Sequence, residues 1–158
     1  MADDGIKDFN KIMHIKKDMP KIKIITDEKS IKKYGGNKMF VAPPIFYDKL
    51  MKKVPKGKLL TVGEMRSCLA KKSGADFTDP LTAGLFVNVV AWASYQRKDD
   101  ITPFWRTIKT DGELSDRYPE PIKLQKRLLE EEGHTIITKG TKKKKYYVKD
   151  FEKSLIGL

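Results

Sequence analysis

The sequence has a single cysteine, only two histidines and no long apolar run. Cys68 cannot form an internal disulfide, and no cluster of Cys and His is present to hold a structural metal. No apolar segment approaches the roughly 20 residues that span a bilayer. The N-terminus, Met1-Ala2-Asp3-Asp4, is acidic where a signal peptide is basic. We therefore expect no cofactor, no metal and no membrane association, and a location in the cytoplasm or nucleus.

Acidic residues are also scarce relative to basic ones. Thirty-three Lys and Arg against 21 Asp and Glu leave a net charge of +12. Residues 1–60 carry 15 basic and 7 acidic side chains and residues 139–158 carry 7 and 2, whereas residues 111–138 carry 4 and 7. Basic ends favour a polyanionic partner through counterion release, and nucleic acid is the first candidate. Composition alone favours a solvated lysine-rich surface equally well.

The length of 158 residues suits one compact core with elaborated ends. Residues 1–43 indicate a basic, partly ordered arm, which has weak helical spacing before Pro20. In residues 21–25, charged and apolar side chains alternate as in a half-exposed strand. Apolar spacing after Pro43-Pro44 predicts a helix over 44–53, and we expect the globular domain to begin there.

Two further helices are predicted from their capping residues. Thr61-Val62-Gly63-Glu64 is a capping box, so a helix begins at about residue 62, and Gly74 can supply its left-handed cap. Asp79-Pro80 caps and opens a second helix over about 80–96. Two helices joined by a short glycine-containing connection are typical of a helix-turn-helix, whose second helix enters a DNA groove.

The second of these helices is apolar over most of its circumference and carries no Lys or Arg before Arg97. Most of it is therefore expected in the core. Only its small-residue start, Thr82-Ala83-Gly84, suits a close approach to a backbone or a shallow groove.

The remainder of the chain predicts a turn, a helix and a hairpin. Asp111-Gly112 indicates a tight turn, and the apolar spacing after Pro121 predicts a helix ended by Gly133. Residues 135–148 indicate a two-stranded hairpin with a basic tip. The hairpin is either a wing that contacts phosphates or an edge hairpin protected by its charges from aggregation. Its tip contains Lys142, Lys143, Lys144 and Lys145.

Four short motifs occur in a fixed order along the chain. They are Val54-Pro55-Lys56-Gly57-Lys58, Thr61-Val62-Gly63-Glu64, Thr102-Pro103-Phe104-Trp105-Arg106-Thr107-Ile108 and Glu131-Glu132-Gly133-His134. Together they resemble the DNA-binding domain of the methylated-DNA cysteine methyltransferase family. The resemblance implies an α+β, winged-helix-like helix-turn-helix domain over residues 44–138. The basic arm of residues 1–43 would precede this domain, and a basic hairpin and C-terminal extension over 139–158 would follow it.

The family's chemistry is missing from this sequence. The resemblance places Phe104 at the position of the alkyl-acceptor cysteine and Trp105 at that of its histidine. Alkyl transfer needs a thiolate, and neither aromatic side chain can accept an alkyl group or shuttle a proton. Cys68 lies beside an apolar helical stripe and is expected in the core. The chain is thus similar to alkyltransferase-like members, which bind alkylated guanine without repairing it, and we expect no enzyme.

The resemblance also bears on base flipping. Gly84 stands where the family has the arginine that replaces the extruded nucleotide, and Val62 stands where it has the tyrosine that rotates the adjoining phosphate. Both differences weaken the case for flipping. Phe104, Trp105 and Tyr118 remain as a candidate lesion pocket, in which the aromatic rings either stack on a base or fill the pocket themselves.

We therefore predict a monomeric, non-enzymatic protein that binds double-stranded DNA in the nucleoid or nucleus. Recognition of alkylated or distorted DNA, and of other DNA-repair proteins, stays open. The alternative is a protein-interaction module on the same scaffold, which the uncharged second helix favours. The predicted DNA contacts are Thr61, Pro80, Thr82, Ala83, Gly84, Arg106, Lys109, Lys142, Lys143, Lys144 and Lys145.

Overall fold

The computed structural model of the chain describes residues 7–158, so residues 1–6 of the predicted arm lie outside the described part. The first element is α1 (Phe9–Met13), which lies against α5 (Pro80–Gln96). The Phe9 ring stacks on Trp92 with the centroids 5.6 Å apart, and the Asn10 side-chain amide donates to the Ala93 carbonyl over 2.9 Å. Residues 9–13 of the predicted arm thus pack on a helix of the domain.

A three-stranded sheet joins the rest of the N-terminal segment to the domain. Strand β1 (Lys21–Ile24) confirms the predicted strand and pairs antiparallel with β2 (Lys38–Val41), and α2 (Glu28–Tyr34) lies between them. Strand β2 also pairs in parallel with β4 (Phe77–Thr78). Of the elements in residues 7–43, α1 packs on α5, β2 pairs with β4, and the Tyr34 ring at the end of α2 stacks on Phe77. The segment predicted as a basic arm thus contacts the domain predicted to begin at residue 44.

The two helices predicted from their caps begin and end at the predicted residues. They are α4 (Val62–Ser73) and α5, and α3 (Pro44–Met51) precedes them. The Glu64 amide donates to Thr61 Oγ1 over 3.1 Å, and the Glu64 carboxylate accepts from the Thr61 amide, also over 3.1 Å. Gly74 ends α4 in the left-handed region, at φ 76°, and α5 follows after β4. The predicted helix-turn-helix is confirmed.

The C-terminal half adds two small sheets and one helix. Strand β3 (Leu60–Thr61) pairs in parallel with β5 (Thr107–Ile108), which follows a 3₁₀ turn over Phe104–Arg106. The predicted tight turn at Asp111-Gly112 is present, with Gly112 at φ 90°. Helix α6 and the two strands of the predicted hairpin then follow in order. Their bounds are Lys123–Glu131 for α6, Ile136–Lys139 for β6 and Lys145–Val148 for β7.

Two clusters of buried apolar side chains form the core. The larger lies among α3, α4 and α5, and the smaller includes Leu59, Ile108 and Val148. Trp105 packs against both clusters. Seven of the 17 residues of α5 are buried, fewer than the expected majority, and Leu81 near its start is 81% exposed. Of the helices in residues 7–158, none is long and apolar enough to cross a membrane.

Candidate nucleic-acid interface

An open groove of about 560 Å³ lies beside the start of α5. One wall is the first two turns of that helix, and the other is residues 115–118 together with Lys109. The floor is formed by apolar side chains that continue into the core. The groove is lined by Val62, Pro80, Leu81, Gly84, Leu85, Val87, Asn88, Ile108, Lys109, Ser115, Asp116, Arg117 and Tyr118.

The helical wall presents two leucines on either side of a glycine. Leu81 and Leu85 are one helical turn apart, so they share a face, and they are 81% and 57% exposed. A Cβ atom at Gly84, between them, would meet no atom within 4 Å, so packing inside the protein does not require glycine there. The Asp79 carboxylate fixes the helix start, because it accepts from the Leu81 amide over 3.1 Å. The wall is therefore apolar, and the missing side chain at Gly84 lets another molecule approach the helix backbone closely.

The opposite wall is held by buried hydrogen bonds. The Gln125 side chain accepts from the Ser115 amide over 2.9 Å, and the Tyr118 hydroxyl donates to the Thr107 carbonyl over 3.0 Å. Burial raises the pKa of Tyr118 far above its ordinary value, so this hydroxyl stays protonated. The Arg117 carbonyl accepts from the Trp92 indole over 2.9 Å. The backbone is therefore anchored while Arg117 stands exposed on the rim.

The tip of the hairpin adjoins this groove. A smaller hollow of about 190 Å³ shares Lys109 and Asp116 with the groove and has Lys143, Lys144 and Lys145 on its other side. These three lysines are exposed, and no carboxylate of residues 7–158 lies within salt-bridge distance of them. The groove and the basic tip thus form one continuous surface, which we call the α5 face.

The predicted DNA contact at Arg106 is corrected by the structure. One edge of its guanidinium binds Glu132 in a bidentate pair, with Nη2 to Oε2 at 2.7 Å and Nε to Oε1 at 2.9 Å, and Nη1 donates to the Val54 carbonyl over 2.8 Å. The Arg106 and Glu132 side chains are only 15% and 8% exposed. Trp105 completes the cluster, since its indole Nε1 donates to Glu132 over 3.1 Å. Arg106 therefore links Val54, which follows α3, to Glu132, which follows α6.

The charge state of Glu132 follows from these contacts. Burial alone would raise its pKa, but hydrogen bonds from Arg106, Trp105 and the Gly57 amide favour the carboxylate form more strongly. The pKa of Glu132 consequently lies below its ordinary value of 4.5. Burial lowers the pKa of the neighbouring His134, although the Glu132 charge opposes this shift.

The candidate lesion pocket is filled by its own aromatic side chains. Phe104 and Tyr118 are 3% and 2% exposed, and their rings meet edge to face with centroids 5.4 Å apart. The Trp105 ring lies edge to face on Phe104 at 5.5 Å. No base fits between rings at these distances. Of the two interpretations of these aromatics, the structure has the one in which the rings close the pocket.

Only some of the predicted DNA contacts lie on the α5 face. Thr61 is 4% exposed with its hydroxyl in the capping box, and Ala83 is fully buried, so these two predicted contacts are corrected with Arg106. Thr82 donates its hydroxyl to Asp79 over 2.8 Å and does not line the groove, and Lys142 is exposed beside the hollow. The α5 face contains Pro80, Gly84, Lys109, Lys143, Lys144 and Lys145.

Sequence reasoning missed nine of the 13 residues that line the groove: Val62, Leu81, Leu85, Val87, Asn88, Ile108, Ser115, Asp116 and Arg117. For the two leucines, the available signal was their spacing around Gly84 on one helical face. For Arg117, it was its position directly before Tyr118, in the loop already assigned to the pocket.

No known protein-family model matches the sequence, and neither does any curated protein. The similar solved structures include two from S. pombe. The crystal structure of S. pombe Atl1 in complex with damaged DNA containing O6-carboxymethylguanine has 23% identity and a TM-score of 0.50, over 71% of this chain and 92% of that chain. That of S. pombe ATL in complex with DNA has 20% identity and a TM-score of 0.48, over 83% and 97%. The similarity to Atl1 confirms the predicted α+β helix-turn-helix fold.

Proposed function

We propose that this protein binds double-stranded DNA, without catalysing a reaction, through the α5 face. The observation that carries the proposal is the pair of residues, Lys109 and Asp116, that the groove and the hairpin hollow share. Because both cavities share these two residues, the start of α5 and the basic tip of the hairpin lie on the same surface. The net charge of +12 and the similarity in fold to Atl1, which was crystallised with damaged DNA, support the same function.

The basic tip supplies the phosphate contacts. Lys143, Lys144 and Lys145 lie next to Lys109, and Arg117 stands on the rim of the groove. Such charges contribute affinity through release of counterions and position the protein without reading sequence. The hairpin therefore acts as a wing, which is the first of its two predicted interpretations.

The start of α5 supplies a close contact with the minor groove. Gly84 allows the helix to approach the nucleic-acid backbone, while Leu81 and Leu85 project on either side of it. Exposed leucines of this kind enter the minor groove as apolar wedges that partly unstack a base step. In this chain the two leucines take the place of the arginine that the resemblance would put at position 84.

The protein would then recognise damaged DNA because a damaged duplex is easier to deform than an intact one. Phe104 and Tyr118 fill the inherited pocket, so an extruded base is not required for binding. A lesion that weakens stacking lowers the energy needed to insert a wedge, and this favours distorted duplexes over intact ones. Cys68 is half-buried, and incubation with alkylated DNA should add no mass to it.

The test compares duplexes with and without a central alkylated guanine by fluorescence anisotropy over a salt series. We expect binding that weakens steeply with salt, and tighter binding to the alkylated duplex at every salt concentration. Absence of binding at low salt would reject the proposal. Equal binding to both duplexes would retain DNA binding and reject damage recognition.

A protein-interaction module is the second candidate function. The exposed pair Leu81 and Leu85 favours it, since adjacent exposed apolar side chains often mark protein contacts. The hairpin discriminates between the two functions. Reversing the charges of Lys143, Lys144 and Lys145 should abolish DNA binding under the first, and it should leave a partner complex at the leucines largely intact under the second.

A further inference from the structure

A second groove, of about 610 Å³, lies between α3 and α4. No residue that lines it also lines the α5 groove or the hairpin hollow. The lining divides into an apolar floor and a basic rim. The floor consists of Phe40, Phe46, Leu50 and Leu69, and the rim consists of Lys49, Lys52, Lys53, Lys72 and Ser73.

The floor is an outer face of the main core. Phe40, Leu50 and Leu69 are 7%, 4% and 6% exposed, and Phe46 is half-buried with its ring centroid 6.4 Å from that of Phe40. These side chains belong to three different elements, which are packed together independently of any ligand. The groove is therefore preformed, and binding would cost little reorganisation.

The rim carries positive charge that the protein does not neutralise. Among residues 7–158, no carboxylate lies within 4.0 Å of the ammonium groups of Lys49, Lys53 or Lys72. Lys52 alone is paired, with Asp100 at 3.1 Å and with Asp48 at 3.6 Å. Three uncompensated cations therefore surround an apolar floor.

We propose that this groove, which we call the α3/α4 groove, docks an acidic amphipathic segment of a partner protein. Two or three apolar side chains would lie on Phe46 and Leu69, and flanking carboxylates would pair with Lys49, Lys53 and Lys72. Helix-in-groove recognition uses this combination of an apolar stripe and flanking charges. Duplex DNA satisfies only the basic rim, because its phosphates gain nothing from an apolar floor. The proposal is independent of the proposed DNA binding.

The first test uses three synthetic peptides of about four helical turns, titrated into the ¹⁵N-labelled full chain. One carries Leu and Phe on one helical face with Glu on both flanks. The second has Lys for Glu, and the third has Ala for Leu and Phe. We expect only the first to shift amide resonances around Phe46, Leu69 and Lys72, with a Kd on the order of 10–100 μM. Equal shifts with all three peptides, or none with the first, would overturn the proposal.

Charge-reversal variants locate the site. K49E/K53E/K72E should weaken binding of the acidic peptide at least about tenfold, because three charge pairs are replaced by repulsive contacts. K143E/K144E/K145E is the matched control, with the same change in charge at the hairpin tip, and it should leave peptide binding unchanged. A circular dichroism melt establishes that both variants fold. If both variants weaken the peptide equally, or if duplex DNA shifts the resonances of the α3/α4 groove, the proposal fails.

Discussion

The indole Nε1 of Trp105 donates a hydrogen bond to Oε2 of Glu132 across 3.1 Å. The sequence resemblance expects a proton-shuttling histidine at position 105. An indole donates but cannot accept, so no proton can pass through it to a nucleophile. Glu132 serves instead as the acceptor for Trp105, Arg106 and the Gly57 amide. In this protein, Glu132 links the 3₁₀ turn that contains Trp105 and Arg106 to the end of α6.

Replacing Glu132 should test that structural role. Glu132→Ala leaves the Arg106 guanidinium buried without a counter-charge, and we expect the free energy of unfolding to fall by about 3–5 kcal/mol. Urea denaturation measures this. The matched control is Glu131→Ala, because the Glu131 side chain is 59% exposed and pairs with an exposed Arg127. That change should stay within about 1 kcal/mol. Equal losses in the two variants would contradict the structural role.

The same carboxylate should make stability depend on pH. The folded pKa of Glu132 is below its ordinary value of 4.5, so its contribution is complete above pH 4.5 and is lost as the pH falls through the folded pKa. The difference in unfolding free energy between wild type and Glu132→Gln should therefore shrink between neutral pH and about pH 3. Urea denaturation at a series of pH values gives this difference. A difference that stays constant with pH would show that Glu132 does not titrate differently on folding.

Gly84→Ala should raise the stability of the protein and lower its affinity for duplex DNA. A Cβ at this position meets nothing in the protein, and alanine favours a helix over glycine by about 0.5–1 kcal/mol, so the variant should unfold at higher urea. The added methyl group would hold α5 away from the DNA backbone, and duplex affinity measured by anisotropy should fall. Unchanged affinity would mean that α5 does not approach DNA closely at Gly84.

Leu81→Ala should weaken DNA binding without changing its salt dependence. Leu81 is 81% exposed, so its removal costs little stability, but a wedge between base steps would be lost. We expect a several-fold rise in Kd at every salt concentration. Ile24→Ala is the control, because Ile24 is also exposed, at 55%, and lies on β1 outside the α5 face. An equal effect of both substitutions would argue against a wedge.

Neutralising the hairpin tip should reduce the salt dependence of DNA binding. Each lost phosphate contact lowers the slope of log K against log salt by about 0.9, so K143Q/K144Q/K145Q should lower it by up to about 2.7. K49Q/K53Q/K72Q removes the same charge from the α3/α4 groove and should change the slope much less. Equal changes would show that DNA responds to net charge and not to the α5 face.

Local sequence rules predict much of this fold. The capping box of Thr61 and Glu64, the Asp79 cap and the left-handed Gly74 each depend on residues within a few positions of one another. The hairpin follows from two short runs around a basic turn. Such elements are predictable because their determinants are adjacent in the chain.

Tertiary contacts explain what sequence reasoning did not predict. Arg106 is withdrawn from the surface by Glu132, 26 residues away, and by Val54, 52 residues away. Leu81 and Val87 are equally apolar in sequence, yet only Val87 faces the core. Exposure of this kind depends on which helices pack against α5, and no local pattern contains that information.

Strand β4 occupies the connection between α4 and α5, and it is held there by β2 from the N-terminal segment. The Asp76 amide donates to the Lys38 carbonyl and the Asp79 amide to the Phe40 carbonyl, each over 2.9 Å. A fragment that began at residue 44, where the family resemblance starts, would leave both amides without acceptors. Strand β2, which lies outside the two helices, therefore helps to fix the orientation of α5 relative to α4. Under the proposed function, a substitution in β2 should change DNA affinity without altering any residue of the α5 face.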